Sequence, residues 1–215
     1  GILAMLAVSG VAAAAEGDLG VTLKTEWVSK YIWRGFDKTD DKAAIQPSIN
    51  IDLYGTGLTA GIWSSYACSS GTSTTSAVDA TEYRYSLVYG GSLNDGEATQ
   101  VNYALGWVYY DMINMSSDND TQEGFLSLSM PNICPGGFTP SYTLVKMWGT
   151  KSKSVRTNYS DWIHVVGVNY GLVTDGLFEN NPEQVINLSC NATFNDGVGG
   201  VDQDWSHIVF GASTG

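Results

Sequence analysis

The sequence predicts an all-β fold, an antiparallel transmembrane β-barrel of about ten to twelve strands. Three observations carry this. Residues 44–54 alternate strictly: Ile45, Pro47, Ile49, Ile51 and Leu53 are apolar, while Gln46, Ser48, Asn50 and Asp52 are polar. A period of two is the mark of a strand with one apolar and one wet face. Aromatic residues then recur near strand ends, as the interfacial girdles of a membrane barrel require. The chain also opens on an almost wholly apolar run, Ile2 to Val11, closed by Ala12-Ala13-Ala14-Ala15. That pattern is the apolar and small-residue part of an export signal, with cleavage expected before Glu16.

Residues 1–15 are therefore expected to be the export signal, and residues 16–215 a single barrel domain. The first strand is expected over Val21–Trp33, with Lys24, Glu26 and Arg34 among its even positions and Trp27 and Trp33 on the other face. The second is the 44–54 segment, turned by Gly55-Thr56-Gly57. The third runs from Leu58 to Tyr66, with Leu58, Ala60, Ile62 and Tyr66 on one side. The fourth sets Tyr83, Tyr85, Leu87 and Tyr89 against Glu82, Arg84 and Ser86. The fifth sets Val101, Tyr103, Leu105, Trp107 and Tyr109 against Asn102, Ala104 and Gly106. Weaker alternation follows over 124–130 and 140–148. Residues 162–170 are apolar on both faces, 185–194 alternate cleanly, and 206–212 suggest a last strand. Turn chemistry separates the strands at Asn94-Asp95-Gly96, Pro135-Gly136-Gly137 and Asn195-Asp196-Gly197. Long connections such as 68–80 and 149–160 alternate with short ones, except over 171–182, which reads as a turn region. No stretch carries the 3.6-residue apolar period of an amphipathic helix.

Pro47 is the discordant residue. A proline inside a strand cannot donate to the ladder, so an edge or a bulge is expected around it.

Composition narrows function. Ten Lys and Arg face 22 Asp and Glu, a net charge of −12. This excludes the basic footprint that a nucleic-acid partner needs. Cys68, Cys134 and Cys190 are too widely spaced for a zinc site and allow at most one disulfide. No phosphate loop or metalloprotease motif occurs. His164 and His207 lack the serine and acid context of a hydrolase, since a strand points the neighbouring Ser206 and His207 to opposite faces. No enzyme activity and no cofactor or metal is expected.

Val28-Ser29-Lys30-Tyr31-Ile32-Trp33-Arg34-Gly35-Phe36, then Ala44-Ile45-Gln46-Pro47, then Gly57-Leu58-Thr59-Ala60-Gly61-Ile62-Trp63-Ser64-Ser65 resembles the TorF family of porin-type proteins. The resemblance covers mainly residues 20–66. It implies an exported barrel in the outer membrane of a Gram-negative-type bacterium. The aromatic that closes such barrels does not follow Phe210, so one or two further strands beyond Gly215 are expected.

The expected function is a porin passing small polar solutes, with outer-membrane lipid as its surroundings. Lys24, Glu26, Arg34, Gln46, Asn50, Asp52, Glu82 and Arg84 are the candidate lumen-lining residues. Trp27, Trp33, Tyr54, Tyr89 and Trp107 are the candidate interfacial aromatics. Arg34 has two readings: a rim cation for an anionic solute, or a fixed partner of Glu26, Asp52 or Glu82. The alternatives to a porin are a closed structural or adhesion barrel with binding loops, and a soluble secreted β-sandwich.

Overall fold

The computed structural model describes residues 5–12, 19–68, 81–113, 115–151, 160–178 and 181–214. The strands are β1 (Met5–Ala12), β2 (Gly20–Val28), β3 (Ile32–Trp33), β4 (Phe36–Asp37), β5 (Ala44–Asp52), β6 (Leu58–Ala67), β7 (Glu82–Leu93), β8 (Val101–Met112), β9 (Thr121–Ser129), β10 (Phe138–Gly149), β11 (Trp162–Phe178), β12 (Asn181–Asn195) and β13 (Asp204–Thr214). Two short 3₁₀ turns, Ser117–Asn119 and Pro135–Gly137, interrupt the connections. Eleven strands form one antiparallel sheet in the order β1-β2-β5-β6-β7-β8-β9-β10-β11-β12-β13, and β3 and β4 form a separate hairpin. The fold is all-β, as the alternation predicts. Its edges are β1 and β13, with no pairing between them among the described residues.

Each predicted strand has a counterpart, and the predicted faces of β5, β7, β8 and β12 hold. The turn expected over 171–182 is confined to the reversal between Phe178 and Asn181, with a register shift after Asp175. β11 runs through to Phe178 and β12 starts at Asn181, with the ladder continuing along both. The connections 53–57, 94–100, 130–137 and 179–180, none longer than eight residues, lie at one end of the sheet, here the turn end. The connections 29–43, 68–81, 113–120, 150–161 and 196–203 gather at the other, the loop end.

Pro47 causes no register shift. The β5–β6 ladder passes from Ile45↔Tyr66 to Ser48↔Trp63 and leaves out Gln46 and Pro47, while Pro47 stays opposite Thr25 of β2. The missing donor is absorbed as a gap in the ladder.

The first fifteen residues were expected to lie outside the fold. Within them, Met5–Ala12 pairs along β2 from Met5↔Val28 to Ala12↔Val21. That strand belongs to the chain while the segment remains attached. Residues 13–15, at the expected cleavage site, lie outside the described residues.

The larger departure is the first strand. It ends at Val28 rather than Trp33, and the segment after it turns back over one face of the sheet. Its contacts show how far the sheet curls. Tyr31 packs on Trp63 of β6 with ring centroids 5.6 Å apart. A Cβ placed on Gly35 would lie 2.9 Å from His207 of β13. Seven strand spacings separate β6 from β13, about 34 Å if the sheet were flat at ~4.8 Å each. Tyr31 and Gly35 are four residues apart, which limits their Cα atoms to about 14 Å. The sheet must therefore curve around the hairpin into a deep trough.

The core lies inside that trough. Val145, Met147, Ile163 and Val198 are buried together against Trp33, Phe125 and Val165. This explains why 162–170 is apolar on both faces: Ile163 and Val165 face the core, Val166 and Val168 the outside. A second cluster, Val28, Tyr31 and Ala44, packs with Trp33 and Trp63.

Candidate functional site

The hairpin is built from an uncommon turn. Trp33 pairs with Phe36, leaving Arg34 and Gly35 as its two central residues. Both have positive φ, 49° and 85°. Two positive φ values are what a type I′ turn needs, and that turn suits the right-handed twist of paired strands. Asparagine usually fills the first position; an arginine there holds a conformation that costs about 1 kcal/mol or more. Such strain persists only where surrounding contacts fix it, and here they do. Arg34 Nη2 lies 2.7 Å from Glu123 Oε2 of β9, Nη1 donates to Met147 Sδ at 3.0 Å, and the guanidinium sits 4.8 Å over the Trp33 ring. The contact with Glu123 is a close charge pair rather than an aligned hydrogen bond, since no donor among the described residues points along its axis at the buried Oε2.

The base of the hairpin is tied as firmly. Asp37 accepts from the backbone N–H groups of Thr39 and Asp41 at 3.0 and 2.9 Å, and Lys30 sits 3.1 Å from Asp37 and also pairs with Asp41. Thr39 Oγ1 donates to the Lys42 carbonyl at 2.7 Å and accepts from the Tyr31 N–H at 3.2 Å. Partial burial raises the Asp37 pKa, but the two N–H donors and the Lys30 ammonium more than offset this, so it lies below its ordinary value of 3.8. The Tyr31 phenol is pushed well above its usual range, chiefly by burial.

Beneath the hairpin the sheet presents ionised groups among aromatics. Glu82, only 2 % exposed, accepts from Arg84 Nε at 2.6 Å and from the Tyr31 hydroxyl at 3.2 Å, and Lys38 approaches it at 3.6 Å. Tyr31 also meets the Arg84 guanidinium. That guanidinium lies 4.3 Å from the Trp63 ring centroid and 4.8 Å from that of Tyr110, a cation–π box. Trp33 meets Tyr110 edge-on at 5.6 Å. Buried charges are tolerated only when paired and hydrogen-bonded, and Glu82 and Arg84 are both.

The other candidates fall as follows. Lys24 and Glu26 share the hairpin face and pair at 2.7 Å. Gln46 is buried there, 3.4 Å from Ser65 Oγ. Asn50 lies further toward the turn end, beside Gly61. Asp52 is a turn residue: its carboxylate accepts the Gly55 N–H at 2.6 Å, because the chain reverses two residues later. Arg34 does not pair with Glu26, Asp52 or Glu82; its partner is Glu123. Trp33 is not interfacial but packs inside, drawn in by the turn that follows it. Trp27, Tyr54, Tyr89 and Trp107 are exposed, and Trp107 donates to Gln122 at 3.0 Å.

Sequence reasoning missed Tyr31, Trp63, Tyr110, Glu123 and Met147. A signal was present. Trp63 falls on the face opposite Leu58, Ala60 and Ile62, where a water-facing residue belongs, and a large aromatic there marks something packing onto it. Ser206 Oγ and His207 Nδ1 lie 3.0 Å apart rather than on opposite faces, because the β12–β13 register shifts beside them. His164 meets the Tyr142 hydroxyl at 2.7 Å. All three cysteines are free. Among the described residues no group of three or more His, Cys, Asp or Glu converges as a metal site would.

The opposite face of the sheet is apolar, and among the described residues nothing covers it. Leu23, Ile49, Ile62, Leu87, Leu105, Val166, Leu188 and Ile208 form its middle, all exposed. Trp27, Tyr66, Tyr85, Trp162 and Trp205 lie toward its loop end; Tyr54, Tyr89 and Phe138 lie toward its turn end.

A family model described as a bacterial protein of unknown function (Gcw_chp) matches residues 12–135, more than half of the chain. The chain belongs to the Gcw_chp family. The match in this Gcw_chp protein takes in β2 through β9, and so both the hairpin and most of the strands beneath it. No curated protein and no solved structure matches the chain.

Proposed function

We propose that this Gcw_chp protein is an outer-membrane β-barrel that passes small polar solutes passively. One observation carries the reading: the convex face of the sheet exposes an apolar band edged by Tyr and Trp, which a protein in water would cover. Its concave face pairs Arg84 with the buried Glu82 and Arg34 with the buried Glu123, beside the two hydrophobic clusters. Soluble monomers rarely expose an apolar patch beyond a few hundred Å², whereas a membrane barrel requires such a band and such girdles. Gathering the short connections at one end also matches a barrel with short inner turns. The TorF-like residues 20–66 support the same reading. A β-sandwich needs two sheets packed face to face, and the one sheet here is filled by its own hairpin.

Fractionation tests the compartment. The protein should require detergent for extraction from the outer membrane and run anomalously when unheated; recovery in plain buffer would overturn the proposal. A second reading, a barrel closed by its hairpin and working through its loops, is favoured by how completely that hairpin is packed. Step currents in planar bilayers distinguish the two.

A further inference from the structure

We infer that the β3–β4 hairpin is the constriction that decides what this barrel passes, with Arg34–Glu123 as its latch. The inference rests on the pore reading above and assigns that pore its selective part. The hairpin touches β8, β9, β10 and β13 from within the trough, and Tyr31 just before it touches β6 and β7. An element in contact with so many walls leaves little room for solute at the loop end. The opposite half is different in kind. Toward the turn end the same face carries Asn50, Asn102 and Ser127, small polar groups, and among the described residues no segment folds over them. Resistance to passage therefore concentrates at the hairpin.

Among the described residues, a cleft of about 200 Å³ lies beside the hairpin, between Arg34, Gly35 and Phe36 on one side and Asn195, Asp202, Asp204 and Ser206 on the other. Its charge points to the sign of the solutes. Arg34 is matched by Glu123, which leaves Asp202 and Asp204 as the surplus on the lining. Carboxylates lining a narrow path favour cations, so the solutes admitted are neutral or positively charged.

Single-channel recording in KCl tests this on four proteins: the wild type, E123Q, the charge swap R34E/E123R, and a variant with residues 32–37 replaced by two glycines. The shortened hairpin should raise conductance severalfold. E123Q should raise it less and add open-channel noise, and the swap should return it toward wild type. A silent wild type with a conducting shortened variant also supports the inference, the hairpin then sealing the path. Equal conductance in the wild type and the shortened variant overturns this inference and leaves the pore reading standing. Silence from both, in protein that is folded in detergent by circular dichroism, overturns the pore reading and this one with it. In a salt gradient the zero-current potential should show cation preference that weakens in D202N/D204N; anion preference in the wild type would refute the assigned charge selectivity.

Discussion

Arg34 and Gly35 show how much one turn can set. Gly35 has φ +85°, and a Cβ there would come within 2.9 Å of His207 Nδ1. Gly35→Ala therefore meets two separate obstacles, a left-handed backbone and a clash with a ring. We expect a loss of about 1–2 kcal/mol, read as a lower midpoint in denaturant in detergent. Gly35→Ala/His207→Ala removes the clash and keeps the backbone strain, so it should recover only part of that loss relative to His207→Ala. Full recovery would mean the φ constraint is relaxed. Asp37 gives the hairpin a pH dependence. Its folded pKa lies below 3.8, so its anchoring is fully present above the unfolded value and is lost as pH falls through the folded one. Loop-end conductance should stay level from neutral pH down to about 4.5 and rise below about 3.8 as the hairpin loosens. Asp37→Asn should flatten that rise; a wild-type rise centred near neutral pH would assign it to another group.

At the scale of elements, strands were readable and the hairpin was not. Alternation is a local property. The pairs Tyr83/Glu82, Tyr85/Arg84 and Leu105/Gly106 disclose two faces without any knowledge of what covers them. The Trp33-Arg34-Gly35-Phe36 turn looks from sequence like the continuing end of a strand, because Trp33 keeps the parity of Trp27. Only the distant partners Glu123, Tyr110 and Met147 explain why an arginine holds a left-handed conformation, and no local pattern encodes them. The 171–182 stretch misleads in part for a related reason: Gly171, Asp175, Gly176 and Pro182 carry turn chemistry, yet the ladder to β12 confines the reversal to the residues between Phe178 and Asn181. Glycines at a turn and in a strand divide the same way. A Cβ on Gly57 would fall 2.4 Å from the Gly90 carbonyl oxygen, at φ +84°. A Cβ on Gly61 would fall 2.5 and 2.7 Å from Ser86 Oγ and Asn50 Oδ1, both ends of side chains that can turn away. Gly57→Ala should cost about 2 kcal/mol or more and Gly61→Ala less than about 1 kcal/mol. Equal costs in detergent unfolding would show that the β6–β7 backbone contact at the turn end yields more readily than its geometry suggests.

For the whole molecule, the exposed apolar band makes the sharpest demand. Leu105 lies in the middle of β8 with 58 % of its surface exposed, flanked by Tyr89 on β7 and Leu126 on β9. In a protein surrounded by water, arginine at such a site would change stability by no more than about 0.5 kcal/mol. Facing hydrocarbon, the same guanidinium would have to be carried into the bilayer midplane, which costs a barrel about 2–4 kcal/mol. Leu105→Arg, refolded into lipid vesicles and titrated with denaturant, should therefore lose that amount. Asn102→Arg, nearer the strand end and on the hairpin face, should lose far less, because long side chains on that face reach water. The comparison separates depth in lipid from general intolerance of arginine in β8. If both substitutions cost the same small amount, the apolar band does not meet lipid and some other surface must cover it. If Leu105→Arg alone is costly, the trough with Arg34, Glu123 and Glu82 inside it is the water-facing interior of a barrel, and the hairpin lies across its path.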